Sequence, residues 1–383
     1  MIGKLTYMAA QATFLTTILI LIIPNVIADT KAEENSAYIT MPVHLSNEFS
    51  TVPAGLQAAD SSLTSQLISV PGGIDPPLAE AEKAPKIIKV SQDGSGEFKT
   101  ITDAVKSIPS GNKVRTIIAI GPGEYKEKVH VDRFKPFVTF YGTQPGNMPK
   151  IVYGDTAKKL GTFNSATVIV ESDYFVAVNI IFANSAPLPI GKELTGEQAV
   201  AMRISGNKAA FHNCRFIGFQ DTLCDDKGLH FFNNSYVEGT VDFVFGTGKS
   251  LYLKSELRSV AKGFAAVAAQ GRQSESEDNG FTFVSCNLTG TGDIYLARTW
   301  KARAKIVFAY TYLGNNINPA GWFNNKASLS NETVFYGEYK CIGPGASNGK
   351  RALAKMLTDA EAKPYLDKTY INGDTWLLPI PKI

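Results

Sequence analysis

From Ile87 onward the chain repeats one pattern: a short run of apolar and aromatic residues, then a Gly, Asn, Asp or Ser. The runs IIKV, TIIAI, VTFYG, ATVIV, VNIIF, AAFHNCRFIGF, HFFNNSYVEG, KSLYLKSELRS, GFTFVSCNLTG and KIVFAYTYLG read as short strands bounded by turn residues. Helical spacing is scarce. TITDAVKSI predicts one short helix, with Thr100 as N-cap and Asp103 three residues on. Near the C-terminus Thr358 and Glu361 form a T-x-x-E capping box before another. The pattern predicts an all-β domain with short capping helices.

Within these runs a smaller unit recurs: a small or polar residue, any residue, then a large apolar one. Its copies are Cys214-Arg215-Phe216, Ser235-Tyr236-Val237, Ser255-Glu256-Leu257, Cys286-Asn287-Leu288 and Thr311-Tyr312-Leu313, at steps of 21, 20, 31 and 25 residues. Ile180-Ile181-Phe182 is an earlier copy, 34 residues before the first. Steps of this size with variable loops suggest a solenoid in which each coil stacks on the last. A β-sandwich also gives many short strands, and periodicity alone does not exclude it. The solenoid makes the sharper prediction: equivalent residues of successive coils lie one strand spacing apart, about 4.8 Å.

Ahead of Ile87 the pattern changes. Lys4 is the sole charge before Asp29, and Phe14 to Ile23 is almost wholly apolar. Val26-Ile27-Ala28 offers a cleavage site, so residues 1–28 read as a secretory signal peptide, with an uncleaved anchor as the alternative. No other segment is long and apolar enough to span a bilayer. Residues 29–85 are rich in Ala, Ser, Pro and Glu, and read as a flexible leader. An ordered arm packed on the domain is the alternative. Residues 86–383 remain as the folded domain.

Composition narrows the class. At 44% hydrophobic and 19% charged residues the chain is globular, and a net charge of +3 gives no sign of nucleic-acid binding. Cys214, Cys224, Cys286 and Cys341 are too few for a disulfide framework, although one or two bridges are open to them after secretion. None forms a C-x-x-C pair, which argues against a zinc site. N-x-S/T sequons at Asn233, Asn287 and Asn331 agree with secretion.

The stacked-coil reading gives two aspartates a common address. Asp221 lies seven residues after Cys214, and Asp242 seven after Ser235. Gln198 precedes Asp221 by 23 residues, which places it one coil earlier, and Gln220 is adjacent to Asp221. Two close carboxylates resist ionising together, so one keeps its proton and the other stays anionic. Such a pair supplies a proton donor and a nucleophile. Glutamine amides are suited to hold an oxyanion. A cation is needed beside the nucleophile, and Arg298 of YLARTW is the candidate, with Trp300 as a stacking surface for a sugar ring. The plainer readings are a structural Asp242–Arg298 ion pair, a ladder-capping Gln198 and a core Trp300.

At these residues the sequence resembles the plant pectinesterase (pectin methylesterase) family over residues 86–383. The resemblance rests on GEYKE, QAVA, GFQDTL, VDFVFG, AAQGR, LARTW and YGEYKCIGPGA, in that order. GFQDTLCDDKG and TWLLP resemble its pollen-type branch. The resemblance implies a right-handed parallel β-helix and hydrolysis of galacturonate methyl esters. Asp242 then matches the nucleophile and Asp221 the proton donor. Gln220 matches the transition-state stabiliser, Gln198 a substrate and oxyanion contact, and Thr167, Arg298 and Trp300 substrate contacts. It implies no metal or organic cofactor. The expected partners are methylated homogalacturonan in the cell wall and a proteinaceous pectinesterase inhibitor, for a monomer that binds neither nucleic acid nor membrane. Two features depart from the family: LARTW replaces LGRPW, and residues 29–85 are too short for the inhibitor-like N-terminal region of many members.

Other classes compete. A polysaccharide lyase or glycosidase also uses this kind of fold and paired carboxylates, but there is no clustered acidic calcium site and the four histidines are scattered. A serine esterase lacks its G-x-S-x-G elbow. A wall-binding protein with a dead site is opposed by the intact Asp221, Asp242 and Arg298.

Overall fold

The computed structural model describes residues 73–189, 196–325, 333–346, 350–381 and 383. The expected signal peptide lies outside them, as do Asn331 and most of the leader.

The chain winds as a parallel β-helix with three faces. The first face is an 11-stranded sheet. In order, it runs Lys86–Val90, Thr116–Ile120, Val138–Gly142, Val176–Val178, Ala209–His212, Leu229–Asn233, Lys249–Leu253, Gly280–Val284, Lys305–Ala309, Phe335–Tyr339 and Ala354–Met356. Strands such as Arg215–Ile217 and Tyr236–Gly239 form the second face, and Leu223–Asp225 and Val241–Gly246 lie on the third. Two long strands, Glu256–Gln270 and Asn287–Arg298, run across both and join them.

The repeat read from the sequence is the register of the second face. Ile181, Arg215, Tyr236, Glu256, Asn287 and Tyr312 pair in succession. The next residues, Phe182, Phe216, Val237, Leu257, Leu288 and Leu313, fill the core without exposure. Where the residue before the pair is small, it bonds to the next rung. Cys214 N donates to Ser235 Oγ at 3.2 Å, Ser235 N to Ser255 Oγ at 3.1 Å, and Cys286 N to Thr311 Oγ1 at 3.4 Å. On the first face Phe211, Phe232, Tyr252, Phe283 and Phe308 form a column with centroids 4.7, 4.4, 4.7 and 4.6 Å apart. That is the strand spacing, and each stacked pair adds about 0.5–1.5 kcal/mol beyond its burial.

Several expected single strands are two strands. AAFHNCRFIGF, HFFNNSYVEG, KSLYLKSELRS, GFTFVSCNLTG and KIVFAYTYLG each turn from the first face to the second at one left-handed residue. These are Asn213 (φ 51), Asn234 (φ 48), Lys254 (φ 50), Ser285 (φ 52) and Tyr310 (φ 51). VNIIF breaks in the same way at Asn179 (φ 56). A left-handed residue other than glycine costs roughly 1–2 kcal/mol, and the hydrogen bonds on both sides hold it. Asn213 adds a rung of its own, donating from Nδ2 to Asn179 Oδ1 at 2.7 Å.

The ends follow the capping chemistry. Thr100 Oγ1 accepts from Asp103 N at the start of helix Ile101–Ser107, and Thr358 and Glu361 make the full capping box of Asp359–Ala362. Packed structure begins earlier than residue 86. In the last part of the expected leader, helix Pro76–Ala81 buries Leu78 and Ala81 in a cluster with Phe137, Tyr370 and Trp376. Asp75 pairs with Lys208 at 2.6 Å, and Glu82 with the buried Arg115 at 2.8 Å. All four cysteines are free. Of the sequon asparagines, Asn233 ends a first-face strand and Asn287 begins a second-face strand. Among the described residues no helix is long and apolar enough to cross a membrane.

Candidate active site

On the third face side chains alternate between core and cleft. Val168, Met202, Leu223, Val244 and Ala268 point inward and are fully buried. Their neighbours Ile169, Arg203, Cys224, Phe245 and Ala269 form the outward row in direct register. Ile169, Cys224, Phe245 and Ala269, with Ala166 and Val200, make an apolar patch against which Trp300 packs. This patch floors a cleft whose walls are Thr162, Phe163, Gln198, Gln220, Asp221, Asp242, Arg298 and Trp300. Cys224 is no nucleophile candidate, because burial pushes its thiol well above the ordinary value.

The aspartates occupy equivalent sites on adjacent coils. Leu223 pairs with Val244, and Asp221 N donates to Val241 O at 3.0 Å. Both residues are left-handed, with φ of 63° and 51°. Aspartate tolerates that region better than most residues, and strained backbone gathers at functional sites. Gln198 lies one coil earlier: Ala199 N donates to Gln220 O at 3.1 Å. Gln198, Gln220, Asp221 and Asp242 therefore span three consecutive rungs.

Arg298 reaches this row from further along the stack. Its Nε donates to both oxygens of Asp242 at 2.6 Å, and its Nη2 also donates to Oδ2. Behind it, Arg298 pairs in register with Phe323, and Trp322 stacks on Tyr336 with centroids 4.3 Å apart. The two LARTW departures fit without disturbing it. Ala297 is fully buried opposite Ala268. Thr299 N donates to Phe323 O at 3.0 Å, a bond that proline cannot make, and Thr299 Oγ1 accepts from Asn325 N at 2.9 Å.

The two carboxyls are electrostatically unequal. Burial raises Asp221 well above the ordinary carboxyl value, the Asp242 charge raises it further, and Arg298 opposes only from a distance. Burial also raises Asp242, but the guanidinium bonded to it pulls back. The arrangement can hold a proton on Asp221 and a charge on Asp242.

The amides are arranged as donors. Gln198 Oε1 accepts from Gly196 N at 3.0 Å, which leaves its NH2 end for the cleft. Gln220 is buried, and among the described residues its Oε1 has no hydrogen-bond partner. Trp300 is half-buried in the cleft wall. Thr167 is the exception among the expected site residues. It is fully buried, and its Oγ1 donates to Ala183 O at 2.8 Å, so it braces the coil and does not reach the cleft. Phe163 lines the cleft instead, 46% exposed with the Arg203 guanidinium 5.5 Å from its ring centroid. Neither Phe163 nor Phe245 was expected. Phe245 lies in VDFVFG and shares the outward parity of Cys224, which is the signal that marks it. Among the described residues no group of three His, Cys, Asp or Glu side chains is placed to hold a metal ion.

A family model described as pectinesterase matches residues 87–374. The putative pectinesterase 63 of Arabidopsis thaliana is 53% identical over 294 residues, covering 76% of this chain and 86% of that protein. The solved structure of pectin methylesterase from carrot superposes with a TM-score of 0.72 at 30% identity, covering 78% of this chain and 98% of the other. A crystal structure of a pectin methylesterase in complex with a hexasaccharide superposes with a TM-score of 0.65 at 26% identity, over 76% and 98%.

Proposed function

Because this chain belongs to the pectinesterase family, we propose that its cleft removes methyl esters from the galacturonate units of pectin, with Asp242 as nucleophile and Asp221 as acid and base. The chain is a pectinesterase enzyme, and de-esterification of pectin is its reaction. In the assigned steps, an Asp242 oxygen attacks the ester carbonyl. Asp221, which holds its proton because it is buried beside a second carboxyl, gives that proton to the departing methanol. It then takes a proton from water, which attacks the acyl–Asp242 anhydride, restores Asp242 and leaves a free galacturonate carboxyl. Arg298 keeps Asp242 anionic and holds both its oxygens in a fixed plane.

The oxyanion of each tetrahedral intermediate falls to Gln198 and Gln220. The Gln198 carbonyl is already engaged, so its NH2 faces the substrate. Gln220 lines the cleft beside Asp221, and its NH2 end supplies the second donor. Phe163 and Trp300 offer ring faces to the sugar. We read the enzyme as secreted to the cell wall and monomeric.

The observation that carries the assignment is the unequal pair: one left-handed aspartate locked to Arg298 and its counterpart one rung away without a cation. The test is methanol release from methylated pectin by Asp242→Asn, with circular dichroism as a check on the fold. Loss of turnover by a folded variant is expected, and near-native turnover would remove Asp242 from its role. Cleavage of chain bonds without methanol would point to a lyase or glycosidase.

A further inference from the structure

Seven residues after Asp242 and seven after Arg298, the same two coils turn from the third face to the first, at Lys249 and Lys305. The coil between them begins its first-face strand at Gly280. Register places Lys249 opposite Gly280, and the Phe281–Ile306 pairing puts Lys305 on the other side of it. Two lysines therefore straddle a residue without a side chain, two strand spacings or about 10 Å apart. The glycine is required. A Cβ there would stand 2.9 Å from Lys305 Cδ and 2.9 Å from Tyr370 Oη, so its absence lets the Lys305 stem cross the rung.

The lysines line an open pocket with Asp278, Tyr365, Thr369 and Tyr370. Tyr370 is pinned by donating to Gly280 O at 3.0 Å, and the Lys249 ammonium stands 5.1 Å from its ring centroid. The pocket is short of negative charge. Lys249, Lys305 and Arg272 all act on the single carboxylate of Asp278, which they hold below its ordinary value together with its hydrogen bond from Lys249. Asp278 is 77% exposed, and among the described residues its ion pair is with Lys249, at 2.7 Å. Among the described residues the Lys305 ammonium has no hydrogen-bond or ion-pair partner, and burial beside Arg272 and Lys249 lowers its affinity for a proton.

We propose that the Lys249–Gly280–Lys305 notch is a second carbohydrate site, which binds the carboxylate of a de-esterified galacturonate unit between the two lysines and rests its ring against the half-buried Tyr365. Asp278 occupies one side of the notch as an exposed carboxylate that an incoming uronate can displace. The site rests on the reading of the cleft as a galacturonate esterase, because that reaction produces the anion the notch fits. It lies one corner beyond the cleft on the same coils, so it would hold acidic product stretches while the cleft takes up ester-bearing ones.

The test is calorimetric titration of the full chain with a fully de-esterified galacturonate oligomer, for wild type and for Lys249→Gln/Lys305→Gln. In parallel, the initial rate of methanol release is measured on highly methylated pectin. A drop of about tenfold or more in affinity for the acidic oligomer, with the initial rate unchanged, is expected, as two charged contacts are lost. Unchanged affinity in the double variant overturns the site. Trp300→Ala, which alters the cleft, should leave acidic binding intact, and loss of that binding would assign it to the cleft instead. Absence of methanol release by wild type would count against the esterase reading alone, since the titration does not depend on it.

Discussion

Arg298 follows Asp242 by 56 residues in the chain, yet its Nε lies 2.6 Å from each oxygen of that carboxylate. The pair is nearly sealed from solvent, with Asp242 5% and Arg298 24% exposed. Removing one partner leaves a buried charge alone, so Arg298→Ala should cost about 3–5 kcal/mol at neutral pH. The loss should shrink in acid, where Asp242 takes a proton. Arg298→Lys keeps the charge but not the planar fork. Its kcat/KM should fall on the order of 10²-fold through misplacement of the nucleophile. Thermal melts across pH and steady-state methanol release check both, and an Arg298→Lys variant of native kcat/KM would show that the fork is dispensable.

Asp221 should make the protein less stable as the pH rises. The folded carboxyl holds its proton to higher pH than the unfolded chain does, through burial and the nearby Asp242 charge. Its stabilising contribution is therefore complete below the ordinary carboxyl range and is lost as pH climbs through the raised folded value. Asp221→Asn has no such loss, so its Tm relative to wild type should increase from about pH 4 to pH 8. A pH-independent difference would contradict a raised value. The same variant should lose about 10²- to 10⁴-fold in kcat.

The two amides should act on rate more than on binding. Gln220→Ala and Gln198→Ala are each expected to lower kcat by about 10²- to 10³-fold, the usual effect of one oxyanion donor, with little change in KM. Gln198→Ala also frees Gly196 N. A rise in KM alone would make either residue a ground-state contact.

Gly246 closes the Asp242 strand against the preceding coil. A Cβ there would lie 1.9 Å from Asp225 O, and its φ is 133°. Gly246→Ala should therefore destabilise by about 3 kcal/mol or more and lower activity with it. Gly263 has no atom within 4 Å of its Cβ position, so Gly263→Ala should stay within about 0.5 kcal/mol of wild type. Denaturant melts of the two variants make the comparison.

The sequence carried the stack well, because the residue before most outward–inward pairs is a small one whose hydroxyl or backbone N–H bonds to the next rung. That constraint gave Cys214 and Ser235 a common frame, and Asp221 and Asp242 followed from it. The face-to-face corners were hidden for a physical reason. One left-handed residue is enough for the turn, and Lys254, Ser285 and Tyr310 bear no mark of that conformation. Thr167 was misjudged because a motif match carries position but not direction. Its hydroxyl turns into the coil to satisfy Ala183 O. The partnership of Arg298 with Asp242 was legible as chemistry, while the supporting contacts from Phe323 and Trp322 depend on loop lengths that no spacing rule supplies.

From Asn179 to Tyr310, one-residue corners tie the first two faces together, so on these coils the extra length falls elsewhere. Extra residues lie around Ala261–Phe264, at a register shift in the strand Glu256–Gln270, and in the segment from Gly271 to Asn279, which carries Asp278 of the lysine notch. Such a design separates what must stay constant from what is free to drift. Rim segments can lengthen, shorten or change polarity between relatives, and so retune which stretch of polymer is gripped, while the rungs that align the two aspartates keep their pitch.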